Sequence, residues 1–310
     1  MVKALVTGGA GFIGSHLVGA LRRKGVEVRV LDDLSTGKRS NLPKGVELLV
    51  GDVADPAVVE RACRGVSVVF HLAAIASVAR SIEDPLRCLE VNQGGTINVF
   101  EAAVASDRKP RVIYASSAAV YGRPTRDSLD EGQPTVPLSP YGADKRGSEL
   151  HAAAAREVHG IASIGFRFFN VYGPRQDPTS PYSGVVSIFV DRALAGAPLT
   201  IQGDGTQVRD FVFVDDVVDC LLWAMERTEG GAEVFNICSG RGTSILDLAE
   251  TVRKLCDSDQ PLRFAPPRTG DIRSSIGDNG KLAAARGPLP RIELEQGLLS
   301  LMIEQLKDAA

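Results

Sequence analysis

Val2-Lys3-Ala4-Leu5-Val6-Thr7-Gly8-Gly9-Ala10-Gly11-Phe12-Ile13-Gly14 is the stretch that decides the fold. Its first six residues form a short apolar strand pattern, and the glycines that follow mark a turn. A helix is expected over 15–23, then a second strand over 27–31 that ends on Asp32. Strand, glycine turn, helix, strand and acid make up the βαβ setting of a dinucleotide fingerprint. Gly9, Gly11 and Gly14 have the tight-turn spacing, which lets a pyrophosphate reach the free N–H groups and positive dipole end of the helix. Asp32 is placed to accept hydrogen bonds from the adenosine ribose, and its charge would repel a 2′-phosphate. The expected cofactor is therefore NAD rather than NADP.

Downstream of Asp32, the polar run Asp33-Leu34-Ser35-Thr36-Gly37 lies at the adenosine end. A strand over 46–50 closes on Gly51-Asp52-Val53, where Asp52 suits either the adenine amino group or the cap of the next helix. A helix over 58–63 and a strand over 66–70 lead to His71-Leu72-Ala73-Ala74, with small residues where the backbone must approach a dinucleotide. Residues 81–104 read as mostly helical with a break at Asp84-Pro85, and 111–115 as a strand delivering Ser116 and Ser117. Ser139-Pro140 opens another helix, since serine caps and proline suits the first helical position. The sixth strand is expected over 162–169. Beyond 170 the rhythm changes: helices over 185–195, 214–225, 244–255, 281–285 and 292–307 alternate with short strands over 200–202, 208–213 and 234–237. Residues 261–275 read as an irregular basic stretch. The expected class is α/β, a Rossmann-type doubly wound parallel sheet with a smaller mixed C-terminal substrate-binding region. Its domains would be a dinucleotide-binding part over 1–170, to which about 208–240 returns, and a substrate part over 171–310.

The totals narrow the functional classes. The 310 residues suffice for a full core, and a net charge of -3 with scattered Lys and Arg implies no nucleic-acid face. Five cysteines form no CxxC pair and read as reduced core residues of a cytoplasmic protein. Four histidines lack metal-ligand spacing, so no metal is expected. No apolar run reaches the length of a membrane span, and the first strand already belongs to the fingerprint, so no signal peptide is expected.

Tyr141 and Lys145 carry the catalytic signal. They lie four apart, on one helical face. A tyrosine near pKa 10 is a poor base at neutrality, and a lysine one turn away is expected to lower that value. Ser117, at a strand end, is placed to donate to the same substrate oxygen.

With these residues in view, the chain resembles the extended short-chain dehydrogenase/reductase family, closest to its UDP-glucose (galactose) 4-epimerase-like branch of nucleotide-sugar epimerases. The resemblance runs along essentially the whole length. It rests on Thr7 to His16 (in which Gly8, Gly11 and Gly14 fit the wider spacing of that family), Gly51-Asp52, His71-Leu72-Ala73-Ala74, Asn92 with Gly95-Thr96, and Ser116 to Gly122. Tyr141-Gly142-Ala143-Asp144-Lys145, Arg167-Phe168-Phe169-Asn170, Val208-Arg209-Asp210 and Pro267-Arg268-Thr269-Gly270-Asp271 complete it.

The resemblance implies NAD contacts at Gly8, Gly11, Phe12, Ile13, Gly14, Asp32, Asp33, Ser35, Thr36, Gly37, Asp52, Val53, Leu72, Ala73, Ala74, Asn92, Ser116, Tyr141, Lys145 and Phe169. It implies UDP-sugar contacts at Ser117, Asn170, Val185, Gln202, Arg209, Arg268, Asp271 and Ser275. Two arginines suit a diphosphate and Asp271 a ribose diol, although Arg209 also has Asp210 and Asp215 nearby for a surface ion pair.

The implied reaction is reversible C4 epimerisation through a 4-keto intermediate. Tyr141 would take the 4-OH proton as hydride passes to the B face of NAD, and the keto-sugar would turn before hydride returns. Ala118 and Ala119 stand where related dehydratases carry an acid pair, which argues against elimination. Ser275, small at the position that gates the sugar pocket, leaves room for an N-acetyl group. Ala76 replaces a lysine often found near the cofactor. UDP-glucuronate 4-epimerisation (with Arg80 a candidate for the uronate charge), nucleotide-sugar 4-reduction and a non-catalytic NAD-sensing scaffold are the alternatives. The alanine-rich helix faces over 92–105 and 141–159 match a four-helix homodimer interface, or close packing within one chain.

Overall fold

A computed structural model describes residues 2–124, 126–178, 184–227, 230–267 and 271–308. The strands are β1 (Lys3–Thr7), β2 (Glu27–Asp32), β3 (Glu47–Val50), β4 (Val68–His71), β5 (Arg111–Ser117), β6 (Ser163–Phe168), β7 (Asn170–Tyr172), β8 (Leu199–Gln202), β9 (Val208–Phe213), β10 (Ala232–Ile237), β11 (Gly242–Ser244), β12 (Leu262–Ala265) and β13 (Ser274–Ser275). The helices are α1 (Phe12–Arg23), α2 (Pro56–Cys63), α3 (Val78–Glu83), α4 (Pro85–Leu89), α5 (Gly95–Ala105), α6 (Pro140–His159), α7 (Val185–Leu194), α8 (Val214–Glu226), α9 (Ile245–Leu255), α10 (Gly280–Ala284) and α11 (Leu294–Asp308).

Two compact units emerge. The first comprises 1–122, 134–168 and 218–235. Its seven-stranded sheet has the order β10-β6-β5-β4-β1-β2-β3, with every pair from β3 to β6 parallel. This is a Rossmann-type sheet whose order reverses at β1 and β4, the place where such sheets bind ligands at their carboxyl ends. The strands are apolar because both faces are covered, and β4 and β6 are buried along their whole length. Leu5, Val69, Val112 and Tyr114 meet Val59, Val99, Phe100 and Ala152 from α2, α5 and α6 in one core cluster.

The second unit comprises 123–133, 169–217 and 236–310. It holds a small mixed sheet in which β9 pairs antiparallel with β11 and parallel with β7 and β13, and a parallel pair of β8 with β12. Here expectation and structure part. Residues 261–275 contain two strands rather than irregular chain, and β7 begins a new sheet right after Phe169. These strands are two to four residues long, too short for alternation to register in sequence. The break at Asp84-Pro85 is as expected: Asp84 caps α4 and Pro85 takes its first position. Asp55, not Asp52, caps α2, accepting from Ala57 N at 2.9 Å.

All five cysteines are free thiols. Among the described residues, no helix is long and apolar enough to cross a membrane, and no cluster of three metal-binding side chains occurs.

Candidate active site

The glycine turn is built for close approach. Gly8 sits at φ +68°, and a Cβ there would meet Ala73 N at 2.7 Å, so the loops after β1 and β4 are in contact through bare backbone. A Cβ on Gly14 would fall 2.1 Å from Gly8 O, which is why α1 can start so close to the strand that feeds it. On Gly11 a Cβ would meet only Gly8 O, at 3.3 Å, and would otherwise fill open space.

Helix α1 has no side-chain cap at its N-terminus, a feature it shares with α5, α7 and α10. Asp55, Ser77, Asp84, Ser139 and Ser244 cap α2, α3, α4, α6 and α9 with side-chain oxygens. No side chain caps α1, and its first turn has no acid. Its amides are left for an anion, and the open space at Gly11 is where a pyrophosphate's oxygens would need room. The residues present fit a dinucleotide.

Asp32 is 6% exposed, and its carboxylate accepts from Ala10 N and Leu34 N, both at 2.9 Å. Burial raises its pKa while those amides hold it down. The segment after it folds back, with Lys38 N and Asn41 Nδ2 donating to Ala10 O. Asp33 accepts from the amide and hydroxyl of Ser35 in a local turn, and Gly37 lies so near Asp32 that a Cβ would be 2.7 Å from Oδ1.

Some expected contact residues have side chains committed inside the protein. Asp52 accepts from Ala54 N at 2.8 Å and pairs with Arg87. Burial works against its ionisation, but these partners hold its pKa below the usual range. Asn92, 1% exposed, accepts from Ile75 N at 2.8 Å and donates toward Asp144 at 3.4 Å. Ser116, 2% exposed, donates to Glu149 at 2.7 Å. Asn98 Nδ2 reaches the carbonyls of Val53 and Ala54, fixing that loop. Arg80 forms ion pairs with Glu83 and Asp84 in its own neighbourhood.

Tyr141, Lys145 and Ser117 come together. Ser139 accepts from Gly142 N and opens α6, placing Tyr141 in the first turn. A Cβ on Gly142 would be 2.7 Å from Ala119 O, so the glycine lets α6 press against the short 3₁₀ turn after β5. The Ser117 side chain faces the Tyr141 hydroxyl and favours its ionised form. Lys145, 3% exposed, donates to Ala115 O at 2.9 Å, and its Nζ stands 5.9 Å from the Tyr141 ring centre.

The electrostatics depart from expectation. Burial raises the Tyr141 pKa, with Asp144 adding to the rise and Ser117 opposing it. Burial also lowers Lys145, to about 8. The lysine by itself does not deliver a phenolate, because both groups lose water and the ammonium is turned to a backbone carbonyl.

Beneath these side chains runs a buried chain of hydrogen bonds. Ala73 N–H donates to Thr7 Oγ1, which lies 2.8 Å from His71 Nδ1, and His71 Nε2 lies 3.1 Å from Thr96 Oγ1. Thr96 Oγ1 is 3.0 Å from Ser148 Oγ on α6. Burial lowers the His71 pKa to about 3, so this histidine is neutral.

In the second unit, Arg209 pairs with Asp271 rather than with Asp210 or Asp215. Asp210 is wholly buried and accepts from Ser239 N, Gly240 N and Gly277 N. Ser275 is 6% exposed and sits beside Arg209 in the β9–β13 register. Asn170 opens β7 and is exposed, Val185 opens α7, and Gln202 ends β8. Phe169 is buried and donates its N–H to Ile237 O. Arg268 lies outside the described residues, as does 179–183 of the Pro- and Ser-rich segment.

Comparison with known proteins agrees with this geometry. Residues 4–238 match the NAD dependent epimerase/dehydratase family. The UDP-glucose 4-epimerase of Thermotoga maritima, solved with UDP-glucose, is 38% identical with a TM-score of 0.95, and each chain is covered completely. The Thermus thermophilus UDP-glucose 4-epimerase, solved with NAD, is 38% identical with a TM-score of 0.91, again over the whole of both chains. A UDP-N-acetylglucosamine 4-epimerase from Methanobrevibacter ruminantium, in complex with UDP-N-acetylmuramic acid, is 33% identical with a TM-score of 0.93 over 99% of each chain. The chain belongs to the NAD dependent epimerase/dehydratase family, within the extended short-chain dehydrogenase/reductases.

Proposed function

We propose that this chain catalyses the reversible NAD-dependent epimerisation of a UDP-hexose at C4. Tyr141 beside Ser117, with Lys145 one helical turn away, is the observation that carries the reading. Tyr141 takes the proton of the sugar 4-OH and gives it back. The two hydroxyls hold the oxygen of the 4-keto sugar between those events. When bound, NAD would supply the acceptor and then the donor of the C4 hydride, so no external oxidant would be consumed. Ala118 and Ala119 offer no acid after Ser117, which disfavours dehydration of the same keto-sugar.

The uncapped α1 terminus with Gly8, Gly11 and Gly14 would hold the pyrophosphate of NAD, and Asp32 its adenosine ribose. Asn170, Val185, Gln202, Arg209, Arg268, Asp271 and Ser275 would hold the UDP-sugar. The small Ser275 favours a pocket that also admits N-acetylhexosamines. The Arg80 ion pairs with Glu83 and Asp84 weigh against its serving a uronate.

A homodimer through the helix faces over 92–105 and 141–159, that is α5 and α6, is part of the proposal. Val158 and Leu150 on α6 are 70% and 55% exposed, an apolar surface that a second copy would cover. Buried free thiols and a nucleotide cofactor suit a cytoplasmic enzyme.

The test is incubation of the purified protein with UDP-glucose, UDP-N-acetylglucosamine and UDP-glucuronate separately, with NAD added, followed by proton NMR. Appearance of a 4-epimer is the expected result, and its absence with all three overturns the proposal.

A further inference from the structure

Three successive turns of α6 grip three successive residues of β5. Tyr141, Lys145 and Glu149 are spaced four apart along the helix. Tyr141 stands beside Ser117, Lys145 bonds the carbonyl of Ala115, and Glu149 accepts from the hydroxyl of Ser116 at 2.7 Å. The first two rungs belong to the site already described; the third does not.

Glu149 is 4% exposed, and its two oxygens take Arg167 Nε at 2.8 Å and Nη2 at 2.9 Å. Arg146 Nη1 adds a third donor at 2.9 Å. Arg167, itself 4% exposed, is the register partner of Ser116 across β5 and β6. Its guanidinium lies 4.7 Å from the centre of the Tyr121 ring. Tyr121 ends the short turn that follows Ser117. Ser117 is therefore bracketed, with the preceding residue tied to Glu149 and the following turn stacked on Arg167.

A buried ion pair is weak evidence for stability, because desolvation offsets much of the attraction and a well-packed apolar pair would do as well. Such a pair does fix geometry, since a bidentate carboxylate–guanidinium contact is directional in a way that methylenes are not. We infer that Glu149 and Arg167 are positioning residues for catalysis, locking Ser117 on β5 into register with Tyr141 on α6. This rests on the proposed epimerase reading.

The experiment uses the full chain as wild type, as Glu149→Gln, and as the paired variant Glu149→Met with Arg167→Met. Melting temperature, kcat and KM for UDP-glucose are measured with NAD in excess. The ionisation of Tyr141 is followed in NAD-free protein by NMR of ¹³Cζ-labelled tyrosine, assigned with Tyr141→Phe. The paired variant removes both charges together, so its melting temperature should stay within about 5 °C of wild type. Its kcat should fall about tenfold to a hundredfold with KM within about twofold, the pattern of a misplaced catalytic pair.

The Tyr141 titration should also move to higher pH in the paired variant. The Ser117 side chain opposes the raised pKa of Tyr141, and the neighbours Asp144 and Lys145 are unchanged. Recovery of kcat together with stability would overturn the inference, as would an unmoved Tyr141 titration. If the paired variant does not fold, Glu149→Gln read well below its own melting temperature decides in the same way: wild-type kcat there overturns it. Wild type that turns over no UDP-sugar would count against the epimerase reading alone, because the NMR titration tests the positioning without turnover.

Discussion

The Lys145 ammonium donates to the carbonyl of Ala115 at 2.9 Å and stands 5.9 Å from the centre of the Tyr141 ring. At that range, and turned toward a carbonyl, it does not outweigh burial, and the Tyr141 pKa is raised above its ordinary 10.0. The phenol is therefore protonated around neutrality in NAD-free protein, and the missing push must come with the cofactor, whose nicotinamide ring is cationic. An ultraviolet titration of the tyrosinate band, taken as wild type minus Tyr141→Phe, should show a midpoint above that of an ordinary tyrosine without NAD. With NAD bound, the midpoint should fall by about 1–3 units. A Tyr141 phenolate at neutral pH in NAD-free protein would contradict this account.

His71 gives a stability prediction with a definite sign. Its folded-state pKa is lowered from 6.5 to about 3, because burial disfavours the imidazolium and Lys145 repels it. Between pH 6.5 and 3 the unfolded chain binds a proton that the folded chain does not, so stability rises with pH across that window and levels off above it. The melting temperature should fall as pH drops from 7 to 5. His71→Asn should melt lower at pH 7, since the Thr7 and Thr96 partners are disturbed, yet show a shallower fall with acid. Equal slopes for the two proteins would assign the acid sensitivity elsewhere.

The glycine turn separates folding from binding. Gly14→Ala places a methyl 2.1 Å from a backbone carbonyl oxygen that cannot swing away. The melting temperature should drop by roughly 5 °C or more. Gly11→Ala meets only Gly8 O at 3.3 Å and should melt within about 2 °C of wild type. Its NAD affinity, measured by calorimetry, should weaken by about tenfold, or 1.4 kcal/mol, because the methyl occupies space the pyrophosphate needs. Unchanged NAD affinity in a folded Gly11→Ala protein would remove Gly11 from the cofactor cradle.

What was legible in sequence was local. The fingerprint from Val2 to Asp32, the Ser139-Pro140 helix start and the Tyr141–Lys145 spacing each lie within one or two elements, where period and capping chemistry leave a pattern. The Glu149–Arg167 contact joins residues 18 apart on a helix and a strand, and a glutamate beside Arg146 on an amphipathic helix looks like a solvated face. Arg209 and Asp271 are 62 apart, so the nearer Asp210 was the natural partner to consider. Asp210 instead holds three backbone amides, a use of a carboxylate that no spacing announces. The strands β7, β11, β12 and β13 escaped because they have two to four residues each and owe their existence to pairing with β8 and β9.

Ser275 offers the sharpest test of substrate range. It is 6% exposed, in β13, in register with Arg209, so its side chain lies beside that of Arg209 on the same face of the sheet. If Ser275 borders the sugar, Ser275→Tyr will take the volume that an N-acetyl group requires while leaving that of a hydroxyl. The ratio of kcat/KM for UDP-N-acetylglucosamine to that for UDP-glucose should then fall by about a hundredfold. The ratio is the right readout, because any general loss of folded protein or of NAD binding scales both substrates equally and cancels. An unchanged ratio in a protein that still epimerises UDP-glucose would place Ser275 away from the sugar and leave the choice of hexose to other residues.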